Sequence, residues 1–144
     1  MSNVLLNISR LSIDGIVDES RSRIVNEVSL NLKKGEVLGL IGESGAGKST
    51  LGLAAMGYTR DGCEIVEGSI EFDGVDLVNC SDNERRDIMG SRIAYVAQSA
   101  AASFNPSHRI INQYTEAPIF HGKSSRRDAE GRKIYELRQV SHHF

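Results

Sequence analysis

Apolar and polar positions alternate in "VLLNISRLSI" (residues 4–13), a two-residue period that predicts a β-strand. "RIVNEVSLNL" (23–32) alternates again, with Ile24, Val28, Leu30 and Leu32 on one face, and Lys33-Lys34-Gly35 then reads as a turn. "EVLGLIG" (36–42) is almost continuously apolar, the pattern of a strand buried on both faces of a parallel sheet. "KSTLGLAAMGY" (48–58) reads as a helix ending near Gly57. In "GSIEFDGVDL" (68–77), Asp73-Gly74 between two β-like segments signals a hairpin. Ser81 or Asp82 can cap a short helix over "DNERRDIMG" (82–90), and "RIAYVAQ" (92–98) is a compact strand. "SAAASFNPSHR" (99–109) is a loop, since Pro106 disfavours a helical residue before it. "IINQYTEAPIF" (110–120) is predicted as a helix cut short by Pro118. A last helix is predicted over 124–140, with Ser125 and Asp128 in capping-box spacing and Ile134, Leu137 and Val140 on one stripe.

Composition narrows the class. The chain has 144 residues, 40% of them hydrophobic and 25% charged, in the range of an ordinary globular domain or part of one. Its 17 basic and 19 acidic side chains give a net charge of −2, which argues against a nucleic-acid partner. No apolar run approaches the ~18 residues of a membrane span. The first residues lack the basic start, apolar stretch and cleavage site of a signal peptide. Cys63 and Cys80 stand apart without metal-ligand spacing and are expected as reduced thiols. His142 and His143 are adjacent without further ligands and suggest no metal site.

The chemistry is concentrated in "IGESGAGKST" (41–50), where Gly42, Gly47, Lys48 and Ser49 satisfy G-x-x-x-x-G-K-[S/T] between a predicted strand and a predicted helix. Glycines permit a tight turn in which successive backbone N–H groups converge on phosphate oxygens. The helix start adds unpaired N–H groups and a positive dipole end. The candidate phosphate-binding residues are therefore Gly42, Glu43, Ser44, Gly45, Ala46, Gly47, Lys48, Ser49 and Thr50. Lys48 is expected on the β and γ phosphates, Ser49 on Mg²⁺, and Thr50 towards the α phosphate. The loop does not by itself name the nucleotide or the work done. A GTPase would carry N-K-x-D, which is absent. "DIMG" (87–90) matches D-x-x-G but lies in a predicted helix. A soluble P-loop kinase remains an alternative, although no arginine-rich lid or acceptor motif is found.

Taken in order, the strand pair, "LKKGEVLGLIGESGAGKSTL", "GSIEFDGVDL" and "RRDIMGSRIAYVAQ" resemble the ATP-binding subunits of ABC transporters. The resemblance implies an α/β fold: a partial P-loop NTPase core with a small antiparallel β subdomain over 1–108, and the beginning of a helical subdomain over 109–144. It implies that Gln98 is the Q-loop glutamine, which ligates Mg²⁺ or its water and links the catalytic site to the membrane partner. It implies ATP and Mg²⁺ as ligands, a second ATP-binding domain as dimer partner, and transmembrane permease subunits. The location would then be cytoplasmic, on the inner face of the cell membrane. "GESGAGKS" with "SFNPSHRI" (103–110) is similar to the peptide and nickel importers, with a di- or oligopeptide as the expected solute and nickel or another small solute as the alternative.

Several family features are missing or altered. Ser99-Ala100 stand where the subfamily often has Asp-Pro. The aromatic residue on which the family stacks adenine would fall near Gly15, yet no aromatic residue precedes Tyr58. Ile13, Ile16 or the stem of Arg23 is left to contact the base. No "LSGGQ"-like signature, Walker B strand or switch histidine occurs, and the look-alike "IEFD" (70–73) lies in the predicted hairpin. The chain thus reads as the first portion of an ATPase domain, able to bind nucleotide but without a strong base for hydrolysis. The competing expectation is a non-catalytic fragment that binds nucleotide or a partner. The basic stretch "HGKSSRRDAEGRKIYELR" (121–138) is expected as a solvated helix face, with partner contact as the alternative.

Overall fold

The computed structural model describes residues 3–18, 20–96, 104–122, 125 and 127–129. Two compact units divide at Arg85/Arg86.

The first unit is built on an antiparallel sheet. β1 (Val4–Val17) and β2 (Ser20–Lys33) form a long hairpin; β3 (Cys63–Phe72) pairs with the other edge of β1, and β4 (Val75–Asp76) closes the order β2-β1-β3-β4. Both alternating segments are therefore strands, as predicted. Their alternation is broken by bulges, however. Arg10 and Glu27 have φ of 46° and 48°, and the ladders shift register around both residues. The extra residue flips the parity of the pleat. Ile8 and Leu11 consequently both point into the core, as Ile13 does, while Val25 joins the inward side that Val28, Leu30 and Leu32 occupy only partly. The bulges do not leave their backbone amides unpaired: Arg10 N–H donates to Ser29 Oγ (2.8 Å) and Glu27 N–H to the buried Ser12 Oγ (3.1 Å).

The predicted hairpin is present. Phe72 pairs with Val75 across Asp73-Gly74, whose φ values of 48° and 86° are the two positive angles a type I′ turn requires. α1 (Lys48–Ala54) buries Leu51 and Ala54 and ends as predicted. Gly57 has φ 75°, its N–H reaches Ala54 O (2.7 Å), and Tyr58 N–H reaches Leu53 O (3.2 Å), the paired bonds of a Schellman motif. The core comprises Ile8, Leu11, Ile13, Ile70, Phe72 and Leu77 with the α1 residues.

α2 (Asp82–Ile88) begins on a capping box. Glu84 N–H donates to Ser81 Oγ (3.3 Å), and Ser81 N–H to Glu84 Oε2 (2.9 Å), so Ser81 rather than Asp82 is the cap. The Ser81 hydroxyl, then its amide, hold the Glu84 carboxyl below its usual range.

In the second unit, α3 (Ile110–Phe120) runs through Pro118 and stops two residues later, so the expectation that Pro118 ends it is corrected. The ring removes one N–H in the last turn, and the turns before it are made by residues upstream. The 104–109 loop is held by the Gln113 amide: Asn105 N–H donates to Oε1 (2.8 Å), while Nε2 donates to Asn105 O and His108 O (both 3.0 Å). Ser125 accepts from Asp128 N–H (3.2 Å), the predicted box; residues 130–140 of that helix lie outside the described residues.

Two predicted strands are not found. Residues 36–43 form no ladder, and Val37 and Ile41 are 95% and 99% exposed. A strand is stabilised by a partner, and no strand of the described sheet lies beside this run. In "RIAYVAQ", only Ile93 makes a bridge, to Met89; residues 94–96 are irregular and the remaining two lie outside the described residues.

Candidate functional site

The phosphate-type loop joins the apolar run to α1. Gly45 and Gly47 have φ of 85° and 75°, and Gly47 is the N-cap of α1. Two left-handed residues in so short a stretch bend the chain sharply, and only glycine adopts them without steric cost. Gly47 is fixed by packing as well. A Cβ there would stand 2.9 Å from Ile24 O and 3.2 Å from Val25 Cγ2, so the loop lies directly against the backbone of β2. Leu51 N–H bonds Gly47 O (2.8 Å), starting α1, and Ala46 N–H bonds Glu43 O (3.3 Å).

Lys48 folds back over the loop. Its Nζ donates to Gly42 O (2.7 Å) and Glu43 O (2.5 Å), which places the ammonium across the mouth of the turn. An ammonium has three N–H donors, so these two bonds leave capacity for an anionic oxygen. Ser49 is exposed and Thr50 half-buried in the first turn of α1, while Glu43, Ser44, Gly45 and Ala46 are exposed. The sequence-predicted loop residues, Gly42 to Thr50, are thus together. Gln98 lies outside the described residues.

A 210 Å³ cleft opens beside the loop, lined by Ile24, Val25, Asn26, Val28, Leu40, Ile41, Ala46, Gly47, Lys48 and Leu51. The β2 contribution was not legible from the motif, because it comes from a strand some twenty residues earlier. The signal that could have found it is the apolar pair Ile24-Val25, which a register shift between Ile13 and Asp14, with Ile24 as the extra residue of β2, brings to the same cleft. Just beyond this wall Arg23 Nε donates to Asp14 Oδ1 (2.5 Å) and Nη1 to Asn26 Oδ1 (3.3 Å). Gly15 remains in β1; a Cβ on it would meet Ile24 Cδ1 at 2.7 Å, so a larger residue there must displace that flexible side-chain end.

The site fits a nucleoside triphosphate on three counts: a left-handed glycine turn seated on β2, a lysine held over it, and hydroxyls at the helix start. Cys63 and Cys80 are free thiols. No helix among the described residues is long and apolar enough to cross a membrane.

Loop and hairpin together define a P-loop nucleotide-binding class, and the family follows from comparison. The chain belongs to the ABC transporter family, whose model matches residues 25–142. It is 35% identical over 136 residues to the dipeptide transport ATP-binding protein DppD of Escherichia coli (strain K12), a match covering 94% of this chain and 42% of that one. It is 33% identical over 140 residues to the probable peptide ABC transporter ATP-binding protein y4tR of Sinorhizobium fredii, covering 96% and 42%. The peptide transport system ATP-binding protein SapD of Salmonella typhimurium is 35% identical over 109 residues, covering 76% and 33%. The chain therefore spans less than half the length of these curated relatives. Among solved structures, the ATP-binding cassette MJ0796, a post-hydrolysis dimer bound to ADP and Pi, matches with a TM-score of 0.70 at 22% identity, over 95% of this chain and 57% of that one. That likeness establishes the fold, a partial P-loop NTPase with its antiparallel β subdomain.

Proposed function

We propose that this chain is the nucleotide-binding portion of a peptide-type ABC importer and that it holds ATP with Mg²⁺ on the loop from Gly42 to Thr50. The observation that carries the reading is the position of Lys48, pinned over a left-handed glycine turn that is itself seated on β2. Lys48 binds the β and γ phosphates, Ser49 ligates the metal, and Gln98 completes the metal site and relays its state to permease subunits. On this reading residues 1–144 are a partial ABC-type ATP-binding domain, with the P-loop core, β subdomain and Q-loop over 1–108 and the beginning of the helical subdomain over 109–144. The peptide relatives and the "SFNPSHRI" segment support a di- or oligopeptide as solute. The working unit is a dimer with a second ATP-binding domain, docked on the cytoplasmic face of permease subunits.

Hydrolysis is not proposed for these 144 residues alone. Phosphoryl transfer to water requires an oriented nucleophile and balanced charge at the transition state. Lys48, Ser49 and Gln98 bind and position, but none is a strong base. Phosphate release measured at saturating ATP is expected at background; robust turnover abolished by Lys48→Ala would contradict this. The importer reading is tested in cells. Disrupting the gene should abolish growth on a dipeptide as sole source of a required amino acid, with Lys48→Ala unable to restore it. Undiminished dipeptide uptake would reject it.

A further inference from the structure

We propose that Arg85 is a positioning residue for the phosphate loop: reaching out of α2, it anchors the far end of α1 and so holds the helix that carries Lys48, Ser49 and Thr50. The inference rests on the nucleotide-binding reading above. α1 has only 7 residues, well below the ~12–15 at which an isolated helix becomes even marginally stable in water. Its direction is therefore set by what grips its two ends. At the start, Gly47 lies against the backbone of β2. At the end, Gly57 lies against Leu77 and Arg85: a Cβ there would stand 3.0 Å from Leu77 O, 3.1 Å from Leu77 Cβ and 3.5 Å from Arg85 Nε. Leu77 is a firm base for this contact, being 1% exposed and bonded through its N–H to Ile70 O of β3 (2.8 Å). Gly57, Leu77 and Arg85 all belong to the first unit.

The guanidinium does two things at this end. Nη2 donates to Leu77 O (3.2 Å), which ties α2 to the residue on which Gly57 rests. Its charge also meets the negative end of α1, whose own last turn has no basic residue. Arg85 is itself held in place. The Ser81–Glu84 box starts α2, and Arg85 N–H donates to Ser81 O (3.0 Å). One atom of the arrangement works against stability: Arg85 Nε is buried, and among the described residues no acceptor meets it. An unpaired buried donor disfavours the fold, whereas an apolar chain of similar length buries without that loss. Arginine is thus a poor choice here for stability alone, and a good one for holding a helix end by charge and hydrogen bond.

The test compares the whole chain with Arg85→Met, Arg85→Lys and Arg86→Met, the last changing an exposed neighbour. Three quantities are read on each: ATP affinity, the thermal midpoint, and hydrogen exchange of the Leu51 and Ala55 amides, which bond Gly47 O and Leu51 O along α1. We expect Arg85→Met to weaken ATP about three-fold and to speed exchange at both amides, while the thermal midpoint holds or rises. Arg85→Lys keeps a cationic donor and should recover most of the affinity and protection. Arg86→Met should match the wild type throughout. Unchanged ATP affinity in Arg85→Met would overturn the inference. So would affinity and thermal midpoint falling in step, or an Arg85→Met chain that does not fold, either of which marks a residue that only stabilises. An equal loss in Arg86→Met would overturn it too, as an effect of net charge. Wild-type protein that binds no ATP would reject the loop reading and the role in binding with it, while the amide exchange still decides whether Arg85 holds α1.

Discussion

Gly47 joins backbone conformation to site geometry. Its φ of 75° and the 2.9 Å approach to Ile24 O mean that a methyl group there meets both a conformational penalty and a backbone atom that cannot swing away. The left-handed conformation alone costs an L-residue about 1–2 kcal/mol. Gly47→Ala is expected to lower the thermal midpoint and to weaken ATP at least ten-fold, read by a melt and a titration on the same preparation; an unchanged melt and affinity would show that the loop is not seated on β2. Asp76 carries a different prediction. The Asn79 side-chain amide, then the Val78 and Asn79 backbone N–H groups, hold its carboxyl below the usual carboxylate range against an opposing effect of burial. A carboxylate whose pKa is depressed on folding stabilises the fold above its unfolded pKa of ~3.9 and loses that contribution as pH falls through the lower, folded value. The stability difference between wild type and Asp76→Asn, measured by urea unfolding, should therefore shrink as pH is lowered below about 4. The motif residues were legible in the sequence because a P-loop is contiguous. The Asp14–Arg23 pair was not, because which residues face each other across a hairpin is set by where its turn falls, and no motif in the sequence marks the turn between β1 and β2.

At the scale of elements, local chemistry read true and long-range pairing did not. Asp73-Gly74, Gly57 and the Ser125/Asp128 box are each decided by a few neighbouring residues, and each is found where expected. Helix α2 gains its start from Ser81; Ser81→Ala is expected to destabilise by about 1 kcal/mol, read from the urea midpoint, with Ser81→Asp retaining most of the stability. Helix α3 outlasts Pro118 because a proline in the last turn removes one hydrogen bond rather than a helix. "EVLGLIG" shows the limit of periodicity. An apolar run states that a segment wants neighbours on both faces, but it does not supply them, and the described sheet places none beside it.

For the molecule as a whole, that run is the main liability. Val37 and Ile41 stand almost fully exposed in the 144-residue chain, and Leu38 and Leu40 nearly half so. Contiguous apolar backbone with free edges invites association with another chain. The isolated chain should scatter light in a concentration-dependent way, and Val37→Lys should reduce that scatter without altering circular dichroism. Equal scatter in both would place the sticky surface elsewhere. The antiparallel sheet is built without this segment, and nucleotide binding is the activity proposed for the chain by itself. The most direct test is a calorimetric titration of ATP with Mg²⁺ into the wild type and Lys48→Ala at matched concentration. Saturable binding of one nucleotide per chain, weakened at least ten-fold by Lys48→Ala, is the predicted result; no binding, or equal binding by both proteins, would contradict the account.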